Sequence, residues 1–167
     1  HGAGVAIPVF SLRSEEDFGV GDFMDLMKMV DWAASTEQTF LQVLPVNDTT
    51  MTGTWTDSYP YNANSTFALH PMYLRLQEMG RLDDPERYYD ALGREMNELP
   101  QIDYERVNNA KNAFTRELFD QDGAKTLAGD DFKSFLARNE AWLTPYAAFC
   151  VLRDINHTPE MDKWGEY

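Results

Sequence analysis

Two short apolar runs lie on either side of a helical pattern, and this order limits the folds that the chain can adopt. The runs occupy residues 4–10 and 40–46, and the first shows no alternation of apolar and polar residues. Such a run is typical of a strand buried on both faces of a parallel sheet. Between the runs, Asp22 stands at the N-cap of a predicted helix that carries Phe23, Leu26, Met27, Val30, Ala33 and Ala34 at helical spacing. The order strand, helix, strand predicts a βαβ unit of an α/β protein.

The chain after Pro71 has a different pattern, which predicts a series of helices. The predicted boundaries are, in chain order, a helix from Met72 to Met79 ending at Gly80, a start at Pro85, N-caps at Asp103 and Asp130, and a start at Thr144-Pro145. Two strands do not make a stable parallel sheet alone. Either residues 1–70 begin a larger barrel and residues 71–167 form a helical subdomain inserted after its second strand, or helices cover both faces of a two-stranded core. The sequence favours the barrel.

A long loop, residues 47–65, is the most distinctive local segment. It contains Trp55, Asp57, Ser58, Tyr59 and Tyr61. A loop of this length in a compact domain is usually functional or disordered, and the aromatic content disfavours disorder. Aromatic faces stack on the C–H faces of sugar rings, while aspartate and serine hydrogen-bond the hydroxyls at the ring edges. The loop therefore predicts a sugar-binding surface, with the alternative that its aromatic side chains dock into the core.

Charge and composition narrow the classes of partner. The formal net charge is −14 and the sequence pI is about 4.4, so the chain repels nucleic acid and anionic lipid at neutral pH but not a neutral sugar. No apolar run has the length needed to span a membrane. Cys150 is the single cysteine and is expected to be an inert core residue. The scattered histidines indicate no metal site, and we expect no cofactor.

Several ordered motifs carry a resemblance to a known family. The segments are Val5 to Phe10 with the loop to Gly19-Val20-Gly21, Gln42-Val43-Leu44-Pro45-Val46, Asp57-Ser58-Tyr59-Pro60-Tyr61, Ser65 to Leu74, and Trp142 to Asp154. In this order they resemble the opening of the catalytic domain of 4-alpha-glucanotransferases, the amylomaltase or disproportionating-enzyme family. The variant most similar to this sequence is that of plant-type cytosolic disproportionating enzymes and their bacterial relatives.

The resemblance implies a partial (β/α)8 barrel and a site for an alpha-1,4-glucan or maltooligosaccharide. It implies that Tyr61 is the aromatic platform beside the reacting sugar, with Trp55, Asp57 and Ser58 as further substrate-binding residues. The family is retaining, which requires a nucleophile and an acid/base carboxyl about 5–5.5 Å apart. These carboxylates follow later strands in the family, so no catalytic residue is expected in this segment. The partners implied are the glucan and the remainder of the catalytic domain, in the cytoplasm.

Two other functions stay open at the level of sequence. The first is a non-catalytic glucan-binding or interaction module, which the aromatic loop would serve equally well. The second is a phosphate-binding βαβ domain, because Gly19-Val20-Gly21 precedes a helix. The third glycine and the lysine of the usual phosphate-binding patterns are missing, and this makes the second alternative weak.

Overall fold

The computed structural model of the chain describes residues 1–83 and 91–165, and its centre is a two-stranded parallel sheet. Strand β1 (Gly4–Ile7) pairs with β2 (Phe40–Val43), with Gly4 opposite Phe40 and Ile7 opposite Val43. Helix α1 (Phe23–Ser35) connects them. The rest is mainly helical: α2 (Leu76–Met79), α3 (Ala91–Glu98), α4 (Tyr104–Ala128) and α5 (Asp130–Asn156). The predicted βαβ unit is confirmed.

The start of α1 follows the sequence prediction closely. The Asp22 carboxylate accepts hydrogen bonds from the backbone N–H groups of Met24 and Asp25, and the Asp25 carboxylate accepts one from the Asp22 N–H. This reciprocal capping box satisfies donors that the first helical turn leaves without intrahelical partners. Asp103 caps α4 in the predicted way, with its side chain accepting from the Arg106 N–H at 3.1 Å.

Both strands are shorter and more exposed than the sequence suggested. After β1, the chain turns at Pro8 into a 3-10 turn, Val9–Ser11, because proline cannot donate to a ladder. Neither strand contains a fully buried residue, and Phe40 is 54% exposed. The expectation that the first strand is buried on both faces is therefore wrong for this chain.

Three helix boundaries differ from the prediction. The single helix expected from Met72 to Met79 is instead a 3-10 turn, Pro71–Tyr73, then two extended residues and the short helix α2, although the end at Gly80 is confirmed by its φ of 145°. Asp130 is the first residue of α5 and not its N-cap, a position that Gly129 occupies. The start expected at Pro85 lies outside the described residues.

The predicted start at Thr144-Pro145 is also wrong, because Pro145 lies inside the continuous helix α5. A proline within a helix removes the hydrogen bond to the carbonyl four residues earlier. That carbonyl belongs to Ala141, an exposed residue, so solvent can satisfy it. The helix continues because long helical segments lie on both sides of Pro145.

One hydrophobic core joins the βαβ unit to the helices. Among the residues that the structure describes, twelve buried side chains form it: Val9, Phe18, Val20, Met72, Tyr73, Leu76, Leu82, Met96, Tyr104, Val107, Phe114 and Leu118. Residues from before and after position 70 contribute to the same cluster, so the helical half packs directly on the first half. The Gly-Val-Gly segment belongs to this packing. Gly19 has a φ of 73°, and a Cβ there would lie 2.6 Å from that of Met96.

A buried group of charges ties α1 to the segment before α2. We call Arg75, Asp22 and Asp25 the charged cluster. The Arg75 guanidinium donates to Asp22 at 2.5 and 2.9 Å and to Asp25 at 2.7 Å, and all three side chains are at most 5% exposed. Burial alone would lower the pKa of Arg75, but the hydrogen bonds and charges of Asp22 and Asp25 raise it. The guanidinium of Arg75 therefore stays positively charged.

Candidate functional site

The loop after β2 is closed at its base by backbone contacts. Asn47 and Leu69 form an isolated antiparallel bridge, and the Asp48 N–H donates to the Ala68 carbonyl at 2.9 Å. We call residues 47–65 the aromatic loop. It starts a few residues beyond the carboxyl end of β2, the end at which parallel α/β folds place their binding residues.

Asp57 organises the first half of the aromatic loop. One of its oxygens accepts hydrogen bonds from the backbone N–H groups of Met51, Thr52 and Gly53 at 2.9, 2.8 and 2.7 Å. The other accepts from the Thr52 hydroxyl at 3.2 Å. Asp57 is 6% exposed. A carboxylate that receives several backbone N–H donors fixes a tight loop conformation, so the observed contacts of Asp57 are internal to the loop.

The aromatic side chains of this loop point away from the core. Trp55 is 69% exposed, Tyr59 is 61% exposed and Tyr61 is 60% exposed. The rings of Tyr59 and Tyr61 lie 5.5 Å apart at an interplanar angle of 49°. Exposed aromatic side chains on a loop with this much internal hydrogen bonding present faces on which a ligand ring can stack. The alternative that these aromatic side chains dock into the core is therefore wrong.

A cleft of about 790 Å³ lies beside the aromatic loop. Trp55 and Ser58 line one side of it, and the segment 99–105, which leads into α4, lines the other. The Trp55 N–H donates to Glu105 at 2.9 Å, which joins the two sides. A volume of this size is in the range of small-molecule sites. Two of the four predicted substrate-binding residues thus share one cleft, whereas Asp57 lies beneath the loop and Tyr61 is not among the residues lining it.

The carboxylates that line the cleft already have structural partners. Asp103 caps α4, and Glu105 accepts from the Trp55 N–H. The acidic side chains of the cleft thus accept hydrogen bonds from backbone N–H groups. The cleft formed by the described residues is suited to binding a ring and its hydroxyls.

His70 lies behind the aromatic loop and has a structural role. Its Nδ1 accepts from the Met72 N–H at 3.1 Å, so its Nε2–H donates to the Tyr104 hydroxyl at 2.8 Å. Burial lowers the pKa of His70 and raises the pKa of Tyr104. Both groups are thus held neutral near pH 7, and they support the floor of the cleft. Across residues 1–83 and 91–165, no group of His, Cys, Asp and Glu side chains could hold a metal ion.

Sequence reasoning missed a second set of loop contacts, which come from α5. Tyr146 donates its hydroxyl hydrogen to Asp48, and Arg153 donates to the Thr50 carbonyl at 2.6 Å. Tyr146 and Arg153 are seven residues apart, two helical turns, so they share one helix face. That spacing was visible in the sequence, but nothing local linked it to a loop almost a hundred residues earlier. Cys150 lies between them, half-buried, and burial raises the pKa of its thiol.

A parallel βαβ unit with an aromatic-lined cleft beyond its second strand places the chain in the α/β class of proteins. Comparison with known proteins is more specific. The family model for 4-alpha-glucanotransferase, glycoside hydrolase family 77, matches residues 7–167. The chain belongs to this family.

Curated relatives support the same assignment. The 4-alpha-glucanotransferase DPE2 of Oryza sativa subsp. japonica is 45% identical over 168 residues, which is 99% of this chain and 18% of that protein. The 4-alpha-glucanotransferase of Chlamydia muridarum is 33% identical over 167 residues, 97% of this chain and 30% of that protein. The chain thus spans less than a third of the length of these relatives. Within the described part of the chain, no helix is both long and apolar enough to cross a membrane.

Proposed function

We propose that this chain supplies the sugar-contacting aromatic loop of a retaining 4-alpha-glucanotransferase that moves alpha-1,4-glucan segments between maltooligosaccharides or larger glucans. The observation that carries the proposal is the exposure of Trp55 and Tyr61 on a loop whose backbone is fixed by Asp57. In this proposal Tyr61 stacks on the sugar at the reacting bond, and Trp55 and Ser58 contact a neighbouring sugar from the wall of the cleft.

Asp57 has a narrower part in the proposed site. Both of its oxygens are engaged with the loop, so direct sugar contact would require them to leave Thr52 and its neighbours. We propose that Asp57 serves the glucan mainly by shaping the loop. The nucleophile and the acid/base carboxyl come, in this proposal, from the larger part of the catalytic domain that the relatives possess and that these residues do not cover.

The proposed architecture is the start of a (β/α)8 barrel. The parallel pairing of β1 and β2 and the position of the aromatic loop after β2 support it. Residues 1–70 would contribute the barrel strands and residues 71–167 the helical insertion, two parts that share one core. A cytoplasmic location, which the resemblance to cytosolic disproportionating enzymes implies, belongs to the same proposal.

The test is a comparison of the full-length protein with the 167-residue chain. Each is incubated with maltotriose, and glucose and longer oligomers are separated by chromatography. We expect transfer by the full-length protein, none by the chain alone, and weak binding of maltooligosaccharide by both. Transfer by the chain after repurification, or no transfer by the full-length protein, would contradict the proposal. Binding without transfer by the full-length protein would identify a glucan-binding module instead.

A further inference from the structure

Asp48 links the start of the aromatic loop to the end of the loop and to α5. One of its carboxylate oxygens accepts from the Thr50 N–H at 2.9 Å and from the Thr50 hydroxyl at 2.7 Å. Its other oxygen accepts from the Tyr146 hydroxyl. Its backbone carbonyl accepts from the Asn64 N–H at 2.9 Å, at the far end of the loop. Asp48 is 3% exposed, so these partners replace water completely.

The contacts from α5 converge on the same short stretch of backbone. Arg153 donates to the Thr50 carbonyl, which also accepts from the Asn64 side chain at 2.9 Å. Arg153 is 9% exposed and Asp48 is nearly completely buried, so neither contact is a mobile surface pair. The start of the loop at Asp48, its end at Asn64 and the side of α5 are therefore joined through one hydrogen-bonded group.

We propose that Asp48 and Tyr146 are a positioning pair for the sugar-contacting residues of the aromatic loop. Neither touches the cleft lined by Trp55, and their effect passes through the loop backbone. This inference rests on the proposed function, because positioning matters for catalysis only if the loop contacts glucan. The physical reason is that the backbone carbonyl of Asp48 holds the end of the loop at Asn64, while its carboxylate holds the start of the loop to α5. The intervening segment then has few conformations, so its aromatic faces are presented to the sugar at a smaller ordering cost on binding.

Hydrogen exchange measures the positioning without reference to activity. The amides of Met51, Thr52 and Gly53 bind Asp57, and the Tyr146 hydroxyl does not touch them. In the full-length protein, Tyr146→Phe removes only that hydroxyl. If the pair holds the loop, these amides should exchange about three- to tenfold faster, since one hydrogen bond changes a local equilibrium by about that factor. Unchanged exchange would overturn the proposal.

Kinetics then test whether the held loop serves transfer. With maltotriose, Tyr146→Phe should lower kcat/KM about three- to tenfold. Asp48→Asn should lose less, because its amide can still accept from Thr50 and can donate to the Tyr146 oxygen. A Tyr146→Phe enzyme with faster loop exchange and unaltered kcat/KM would show that the loop is held for stability alone, and would overturn the role proposed here.

Leu118→Ala is the matched control for lost stability. Leu118 is buried in α4 and belongs to the core rather than to the loop. At a temperature where all variants are folded, this control should leave loop exchange and kcat/KM as in the wild type. A wild-type protein without transfer activity would contradict the proposed function, and the exchange measurement would still decide whether Asp48 and Tyr146 hold the loop.

Discussion

The charged cluster and the aromatic loop are both built around buried aspartates, yet they differ in what satisfies the carboxylates. In the charged cluster, Asp22 and Asp25 receive the guanidinium of Arg75. In the aromatic loop, Asp48 and Asp57 receive backbone N–H groups and hydroxyls, with no lysine or arginine on their carboxylates among the described contacts. The first arrangement joins two parts of the fold, and the second shapes a surface.

The two arrangements differ in which parts of the structure they fix. A bidentate ion pair fixes two distant elements, here α1 and the segment before α2, but presents nothing to solvent. A carboxylate that collects neighbouring N–H groups fixes the path of a short loop and leaves the side chains between them free to point outward. Trp55, which lies between Gly53 and Asp57, is exposed in this way. We therefore expect damage to the charged cluster to reduce stability, and damage to the loop to reduce sugar handling.

The largest expected effect comes from Arg75→Met. The substitution leaves Asp22 and Asp25 buried without their cation, and breaking a buried ion pair on one side costs about 3–5 kcal/mol. The free energy of unfolding, measured by urea titration, should fall by that amount. Lys28→Met is the control, because Lys28 pairs with Glu16 on the surface, where both side chains are more than half exposed. Its unfolding midpoint should hardly move. Equal losses in both variants would remove the distinction between buried and surface charge.

The next effect is expected from Asp57→Ala. Hydrogen bonds to a charged group contribute about 1.5–3 kcal/mol, and the freed N–H groups in this loop can reach water, so the loss of stability should lie at or below that range. Amides 51–53 should lose protection while those of α4 keep it. Asp57→Asn retains one acceptor oxygen and should fall between Asp57→Ala and the wild type. A fall in the free energy of unfolding as large as that of Arg75→Met would mean that the loop also determines the fold.

Local patterns explain why some of this was predictable from sequence. The separate strands and helix of the βαβ unit and the caps at Asp22 and Asp103 are each specified by residues within a few positions of each other, and their order was predicted correctly. The ion pair of Arg75 with Asp22 spans 53 residues, and the contact of Tyr146 with Asp48 spans 98. Contacts at such separations follow from how the elements pack and leave no spacing pattern.

The same argument accounts for the errors at α5 and for the limits of the site prediction. Thr144-Pro145 is a strong local signal for a helix start, and the tertiary contacts of the long helix α5 override it. Trp55 and Ser58 were predicted from composition and motif, but the opposite wall of their cleft, residues 99–105, carries no motif of its own. That Tyr61 contacts the reacting sugar stays a prediction.

Tyr61→Ala tests that prediction in the full-length enzyme. Stacking on a base is worth about 1–3 kcal/mol, and if sugar stacking is of that order kcat/KM should fall about ten- to a hundredfold. Part of the loss should be in kcat, because a platform at the reacting ring acts in the transition state. Tyr61 is 60% exposed, so the melting temperature should change little. Tyr59→Ala is the matched control, with a neighbouring ring of equal exposure and a smaller expected loss. Tyr61→Ala with wild-type kinetics would contradict the assignment.

The smallest effect is expected from Lys111, whose ammonium binds the backbone just before Arg75 through carbonyl oxygens rather than a carboxylate. Its ammonium donates to the carbonyls of Met72 and Leu74 at 2.6 and 2.7 Å, on the residues flanking Tyr73 and just before Arg75. Burial lowers the pKa of Lys111 from 10.5 to about 8. Arg75, which follows Leu74 in the chain, keeps its charge because its carboxylate partners raise its pKa. In alkaline solution Lys111 should therefore lose its charge, whereas Arg75 should keep its charge.

Between pH 8 and pH 10.5 the unfolded chain keeps the Lys111 proton that the folded protein has released, so this group makes the free energy of unfolding rise with pH. From pH 8 to pH 9.5 the rise should be about 1–2 kcal/mol. Because neutral lysine still has two N–H donors, both carbonyl contacts survive the loss of charge. Tyrosines and Cys150 also titrate in alkaline solution, so the quantity to measure is the difference between the wild type and Lys111→Met by urea titration at each pH. That difference should grow in favour of the wild type as pH rises. A difference that stays constant from pH 7 to pH 9.5 would mean that Lys111 stays charged in the folded protein. The carbonyl partners of Lys111 would then stabilise its ammonium as well as the carboxylates stabilise Arg75.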